Sequence, residues 1–129
     1  MAKRIREKAE ARRANKETRP YAKAKYIRMS PSKVRIVLDN IRGQKAEDAV
    51  AILANSTQSA AEACLKVLNS AIANAENNKG LNKDELFVAE AYANQAPSFK
   101  RVSFRGRGGV DTIIKRNCHI TIVLDTHKN

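Results

Sequence analysis

The chain has 129 residues and a formal net charge of +12, and 43% of its residues are hydrophobic, with three Phe, three Tyr and no Trp. This length favours one domain, and the few large aromatic residues predict a thin, partly helical core. No segment approaches the roughly 18 to 20 consecutive apolar residues of a membrane helix, and no apolar signal segment follows the N-terminal charges. We therefore expect a cytoplasmic protein without a membrane partner.

The positive charge is concentrated in two segments. Residues 1–28 carry a net charge of +8 and residues 97–116 a net charge of +5, whereas the rest of the chain is nearly neutral. Concentrated cationic charge is stabilised by a polyanion that releases its bound counterions, so the pattern predicts nucleic acid as a partner. An anionic membrane is an alternative, but residues 1–20 lack the apolar face that membrane binding requires.

The N-terminal half of the chain predicts a tail, a strand and a first helix. Residues 1–20 contain helix formers without an apolar stripe, so we expect a basic tail that is disordered or becomes ordered on RNA. Residues 21–29 weakly favour an edge strand. Ser30 and Pro31 predict the start of a helix and Gly43 its left-handed end. Its predicted apolar face comprises Val34, Val37, Leu38 and Ile41.

Two further helices are predicted next. The first covers residues 46–54 and has Ala49, Ile52 and Leu53 on its buried side. The second is longer and ends at residues 77–80, and Ser59 with Glu62 fits a capping box at its start. Its predicted apolar face comprises Ala61, Cys64, Leu65, Leu68, Ile72 and Ala75.

Two paired strands are predicted at residues 86–93 and 118–124. In the first, Phe87, Ala89, Ala91 and Ala93 alternate with Leu86, Val88, Glu90 and Tyr92, and in the second Ile120, Ile122 and Leu124 form an apolar face. The strands bracket residues 95–117, which far exceed the length of a hairpin turn. Two extended arms around a glycine-rich tip at residues 105–109 are therefore predicted.

Catalytic and metal-binding patterns are missing from the sequence. His119 lies within a predicted strand, and the sequence RGRGG lacks the spacing of a phosphate-binding loop. Cys64 and Cys118 are far apart in sequence, which favours free buried thiols, although one disulfide remains an alternative. We expect no enzyme activity, no cofactor, no metal and no small-molecule substrate.

Three segments carry a family resemblance: SPSKVRIVLDNIRGQKAEDAVAIL, KVLNSAIANAENN, and APSFKR through GRGGVDTIIKRNCHITIVL. In this order and spacing, over about residues 22–125, they resemble the bacterial-type twenty-second large-subunit ribosomal protein family. The resemblance implies an α+β fold: a strand, three helices and two strands form a two-layer α/β body with a long protruding β-hairpin at about residues 95–117. It implies one domain at residues 21–129. The basic N-terminal tail at residues 1–20 has no counterpart in the shorter family members, and its expected role rests on its charge.

The resemblance also implies a function. The chain would be a structural constituent of the large ribosomal subunit that binds 23S ribosomal RNA and aids subunit assembly. Its hairpin would line the exit tunnel of the nascent polypeptide. The implied partners are 23S ribosomal RNA, neighbouring large-subunit proteins and the nascent polypeptide, and no homo-oligomer is expected. The alternatives are a free nucleic-acid chaperone or DNA-binding protein, and a membrane-surface or interaction protein that uses the basic tail.

The implied sites follow the cationic segments. The expected tip of the tunnel hairpin is Phe104, Arg105, Gly106, Arg107, Gly108 and Gly109. The family often has Pro at the position of Phe104 and a basic residue at that of Gly109, so we expect a more flexible and less charged tip here. The expected RNA-binding residues are Arg28, Ser30, Ser32, Lys33, Arg35, Lys100, Arg101, Arg105, Arg107, Lys115 and Arg116.

Overall fold

The computed structural model describes residues 2–14 and 18–126. Residues 1 and 15–17 of the predicted tail, and residues 127–129 of the predicted domain, lie outside the described residues. The predicted α+β fold is confirmed. Short 3₁₀ turns at Lys83–Glu85 and Gly106–Gly108 precede and follow the first strand of the hairpin. The helices and strands are α1 (Ala2–Ala14), β1 (Tyr21–Ile27), α2 (Pro31–Ile41), α3 (Ala46–Ala54), α4 (Ser59–Lys79), β2 (Leu86–Phe104) and β3 (Val110–Thr126).

The three strands form one antiparallel sheet in the order β1-β3-β2, so β3 lies in the centre. Pairing of β2 with β3 runs from Leu86 opposite Thr126 to Phe104 opposite Val110. The body and the protruding hairpin are therefore built from the same two continuous strands. The predicted pairing of the last two strands and the predicted extended arms are both confirmed.

Helices α2 and α4 pack on one face of the sheet, and α3 packs mainly against α4. Ile120, Ile122 and Leu124 are fully buried beneath them. The predicted apolar face of α2 is confirmed, because its four residues are at most 2% exposed. The prediction for α3 is confirmed for Ala49 and Leu53 but wrong for Ile52, which is 39% exposed because α3 lies at the outside of the helical layer.

The starts of two helices differ in detail from the predictions. Ser30 is the N-cap of α2, as predicted, but its side chain makes no capping hydrogen bond. The capping box predicted at α4 is wrong, because Gln58 is the N-cap and Ser59 is already helical. Glu62 instead pairs with Lys66 one turn later at 2.7 Å, and the hydrogen bond and charge of Lys66 lower the pKa of Glu62. Gly43 ends α2 with a φ of +78°, as predicted.

Two irregularities interrupt the pairing of β2 with β3. The first is a bulge between Val88 and Glu90. Its extra residue reverses the alternation of β2, so that the buried side chains are Leu86 and Val88 before the bulge and Ala91 and Ala93 after it. The predicted uninterrupted alternation of β2 is therefore wrong. The second lies between Ala96 and Phe99, where the body ends and the hairpin begins.

The edge of β2 that has no neighbouring strand is hydrogen-bonded by α2 and the segment that follows α2. Arg35 Nε donates to the carbonyl oxygen of Ala93 at 3.0 Å, and Arg42 Nη2 donates to that of Ala91 at 2.7 Å. The Gly43 and Val88 backbones contribute a further hydrogen bond of 2.9 Å. These contacts satisfy backbone groups that an edge strand would otherwise leave open to another chain.

Candidate nucleic-acid interface

A cleft of about 560 Å³ lies where the end of β1, the starts of α2 and α4, and the base of the hairpin meet. We call it the basic cleft, because each of its charged residues is a cation. It brings together five of the predicted RNA-binding residues, which are far apart in sequence. Its lining residues are Arg28, Met29, Ser30, Lys33, Ser59, Ala60, Ile114, Lys115 and Arg116.

Two helix N-termini reinforce the positive charge of the basic cleft. Helix α2 has 11 residues and α4 has 21. The N-cap Ser30 and Lys33 at the start of α2, and Ser59 and Ala60 at the start of α4, line the cleft. Neither N-cap residue, Ser30 or Gln58, makes a side-chain capping hydrogen bond. Because the first amides of a helix carry partial positive charge and point outward, this arrangement favours an anionic group such as a phosphate.

Ser59 is a residue of this cleft that sequence reasoning missed. The sequence pattern predicted Ser59 only as part of the capping box of α4. In the structure Ser59 lines the basic cleft together with Ser30 and Lys33. No sequence signal could have placed it there, because the starts of α2 and α4 are brought together by helix packing alone.

Two predicted residues on α2 do not line the basic cleft. Ser32 is exposed in the first turn of the helix. Arg35 points toward β2, where its Nε holds the Ala93 carbonyl oxygen. An RNA-binding role for both residues stays a prediction, and for Arg35 the structure adds a contact that stabilises the body.

The predicted hairpin residues Lys100, Arg101, Arg105 and Arg107 lie outside the basic cleft, along the protruding arms and tip. Every residue from Phe104 to Gly109 is exposed. Arg105 forms a salt bridge with Asp111 and donates its backbone N–H to the Gly109 carbonyl oxygen at 2.8 Å. The tip is a tight turn in which Arg107 and Gly108 have φ values of +57° and +73°.

Apolar side chains on the hairpin arms are exposed to an unusual degree. Phe104 is 82% exposed and the other five are between 46% and 60% exposed. Isolated two-stranded hairpins are marginally stable in water, so this surface is suited to being covered by a partner. The six residues are Phe99, Val102, Phe104, Val110, Ile113 and Ile114.

The described residues also bear on metal binding, on membrane-spanning helices and on the two cysteines. Within residues 2–14 and 18–126, no group of three or more His, Cys, Asp or Glu side chains is placed to hold a metal ion. No helix in the same residues is long and apolar enough to cross a membrane. Cys64 and Cys118 are free and buried, as predicted.

Comparison with known proteins agrees with the resemblance seen in the sequence. The model of the family described as Ribosomal protein L22p/L17e matches residues 22–125. The chain belongs to this family. A large ribosomal subunit protein uL22 of Clostridium novyi (strain NT) is 52% identical over 101 residues, which cover 78% of this chain and 91% of that protein.

Membership of the L22p/L17e family makes the chain a non-enzymatic ribosomal protein with a structural role in translation. Ribosomal RNA and the ribosome are therefore its partners. The matched residues include the whole basic cleft and both arms of the hairpin, whereas α1 lies outside the match.

Proposed function

We propose that this L22p/L17e protein is a structural constituent of the large ribosomal subunit that binds 23S ribosomal RNA. The observation that supports this best is the basic cleft, in which Arg28, Lys33, Lys115 and Arg116 converge with two helix N-termini. Cations and helix amides at one point bind the RNA backbone, because they neutralise phosphates and hydrogen-bond their oxygens.

The hairpin has a different part in the proposal. Its base is fixed at the basic cleft, and its exposed apolar arms and cationic tip extend away from the body. In the subunit it lines the nascent-polypeptide exit tunnel, where RNA covers the arms and the tip faces the nascent polypeptide. The body contacts neighbouring large-subunit proteins, and binding of both parts to 23S RNA aids assembly of the subunit in the cytoplasm.

Sedimentation tests the proposal. A tagged copy is expressed in cells, and the lysate is separated on a sucrose gradient after a high-salt wash. We expect near-stoichiometric retention in large subunits and whole ribosomes. A tagged protein that stays in the soluble top fractions would contradict the proposal and favour a free RNA-binding protein.

A charge-reversed pair tests the role of the basic cleft. Lys33→Glu with Arg116→Glu is expected to reduce retention in large subunits at least tenfold, because it places two carboxylates against phosphates. The matched control is Lys45→Glu with Lys79→Glu, which makes the same change of charge at exposed residues outside the cleft. Equal retention of both pairs would show that the cleft is not the RNA contact.

Cross-linking tests the location of the hairpin. Arg107→Cys places a reactive thiol at the exposed tip, whereas the natural cysteines are buried and inaccessible. In ribosomes stalled during synthesis, we expect this thiol to cross-link to the nascent polypeptide. Lys79→Cys, on the body at the end of α4, is the control and is expected to give no such product.

A further inference from the structure

The face of the sheet opposite α2 and α4 carries all three tyrosines of the protein. On this face Tyr21 lies opposite Val123, and Val123 lies opposite Glu90 on the other side. In the next row Thr121 lies between Lys23 and Tyr92. Because side chains alternate between the two faces of a strand, these residues point away from the helix-covered Ile120, Ile122 and Leu124.

The tyrosine rings are well exposed. Tyr21 is 46% exposed and Tyr92 is 41% exposed, and they line a shallow pocket of about 240 Å³. Val123 and Thr121, which are 3% and 5% exposed, form its floor. The result is a concave surface whose walls are aromatic and whose base is closed by the central strand.

Tyr26 extends this surface along the sheet. It lies in a β1 irregularity with a φ of +57°, a conformation that aromatic residues rarely adopt. Its backbone N–H donates to His119 Nδ1 at 3.0 Å, and the two rings meet edge to face at 4.8 Å. His119 lies on the same face as Thr121, two residues before it in β3, so its contact holds Tyr26 on that face. Tyr26 is 62% exposed.

Cations lie beside the tyrosines, and the carboxylates of the face have partners within the protein. Lys23 is exposed in the middle of the face, and Arg28, two residues after Tyr26, lines the basic cleft. The face also has two carboxylates: Glu90 is paired with Arg19 at 2.7 Å, and Asp125 Oδ1 accepts the backbone N–H of Thr126 at 2.9 Å. Along the chain, Tyr26 is therefore two residues from the cleft that is proposed to bind the RNA backbone.

We propose that this open face is a stacking site for unpaired bases of ribosomal RNA. Bases stack on Tyr21, Tyr92 and Tyr26, while Lys23 and Arg28 hold the phosphates between them. Single-stranded RNA is the ligand that combines exposed π faces with regular negative charge, and base-paired RNA cannot present its base faces to a sheet. The inference rests on the proposed function and adds to it a site for RNA loops beside the site for RNA backbone.

Tyrosine fluorescence provides a direct test, because the protein has no Trp and its three Tyr residues all lie on this face. The purified full-length chain is titrated with a single-stranded oligoadenylate of about eight nucleotides and, separately, with an RNA duplex of about sixteen base pairs. We expect the single strand to quench tyrosine emission through stacking. The duplex is expected to bind at the basic cleft, as seen by anisotropy of a label on the RNA, with little quenching.

Variants separate stacking from charge. Tyr26→Leu and Tyr92→Leu are each expected to weaken binding of the oligoadenylate about tenfold, since they remove a stacking surface, while binding of the duplex stays unchanged. Tyr26→Phe and Tyr92→Phe keep the ring and are expected to bind like the natural chain. Circular dichroism confirms that each variant folds.

The outcomes distinguish failure of this inference from failure of the proposed function. RNA binding without quenching, or equal affinity of the Leu and Phe variants for the oligoadenylate, overturns the stacking site and leaves the basic cleft standing. Loss of ribosome retention in the Leu variants with unchanged oligoadenylate affinity also overturns it, because the face would then contact a protein. Failure of the proposed function appears separately, as a natural chain that does not sediment with large subunits.

Discussion

Cys64 and Cys118 are fully buried between the helices and the sheet, and burial alters the chemistry of both thiols. Desolvation, with a smaller contribution from Cys118, raises the pKa of Cys64 from 9.0 to about 11. Desolvation also raises the pKa of Cys118. The neutral thiol is thus the form that the folded protein accommodates, and both side chains act as small apolar residues of the core.

Stability should therefore depend on pH through Cys64. Below pH 9.0 its thiol is protonated in both the folded and unfolded states, but above that pH the unfolded thiol ionises while the folded one keeps its proton. The free energy of unfolding should thus fall as pH rises from 9.0 to about 11, by at most about 2 kcal/mol from this group.

Urea unfolding of the natural chain and of Cys64→Ala measures this effect. The comparison is made at about pH 8 and about pH 10.5, and the stability difference between the two chains should shrink at the higher pH. The alanine variant loses packing at both pH values, but its residue 64 cannot ionise. Because both chains contain the same Lys and Tyr residues, the titration of those residues cancels in the difference between the two stabilities. A stability difference that is independent of pH would contradict the predicted role of the thiol.

Among the elements, the helices were predicted from the sequence more accurately than the strands. Apolar residues at helical spacing located α2, α3 and α4, because each helix packs through one apolar stripe. They also gave most of the buried residues, although Ile52 is exposed, Leu65 is only partly buried, and the buried Val67 was not predicted. The change of buried side at Ala89 could not be predicted, since a bulge leaves no periodic signal. The cations of the basic cleft were predicted from their charge and the family resemblance, but their convergence depends on how α2, α4 and the hairpin base pack.

Helix α2 and Arg42, the residue that follows its last turn, have two different roles. Lys33 faces the basic cleft, whereas Arg42 holds the edge of β2. We expect Arg42→Met to lower the free energy of unfolding by about 1 to 2 kcal/mol, because it leaves the Ala91 carbonyl oxygen without its charged donor. Lys33→Met should change it by less than about 0.5 kcal/mol.

Urea denaturation measures both stabilities, and filter binding with ribosomal RNA fragments measures both affinities. The expected pattern is reciprocal: Lys33→Met weakens RNA binding and Arg42→Met weakens the fold. If both variants lost stability equally, the assignment of Lys33 to RNA binding and of Arg42 to the fold would be wrong.

The hairpin beyond residue 98 should be dispensable for folding of the body. No residue from 99 to 116 is buried, and the core residues of the sheet lie at or before Ala96 and at or after Asn117. Replacement of residues 99–115 by Asn-Gly, which forms a tight hairpin turn, should leave the helical circular dichroism unchanged. Thermal unfolding should shift by only a few degrees, on the order of 1 kcal/mol.

A core substitution is the control for that experiment. Leu68→Ala, at a fully buried residue of α4, should lower stability by about 2 to 5 kcal/mol and thus show that the melt reports on the body. A shortened chain that melts as early as Leu68→Ala would show that the hairpin supports the body.

At the scale of the whole molecule, cationic charge is concentrated in α1, β1, the basic cleft and the hairpin. Helix α1 contains six basic and two acidic residues, and its described side chains from Lys3 to Ala14 are all exposed. Because it has no apolar stripe, its helical form adds little to the core, and the prediction that the tail becomes ordered on RNA remains open to experiment. Its contribution is expected to be electrostatic.

Deletion of residues 1–17 should therefore change the salt dependence of RNA binding. For single-stranded RNA the logarithm of the affinity falls with the logarithm of salt concentration by about 0.7 for each phosphate neutralised. We expect the slope to become shallower by about 2 to 4 after the deletion, with unchanged thermal unfolding. An unchanged slope would show that the tail does not touch RNA, and an earlier melt would show that it supports the fold.

The strand order β1-β3-β2 also determines when the protein can be completed during its own synthesis. Strand β1 is made first, yet its partner in the sheet is the last strand to be made. Roughly a hundred residues separate Tyr21 from Val123, so loop closure between them is among the slowest steps available to the chain. While the ribosome is still adding residues, α2, α3 and α4 can form but have no sheet to cover, and β1 must wait unpaired. The sheet can therefore close only after β3, as far as Val123, has left the synthesising ribosome.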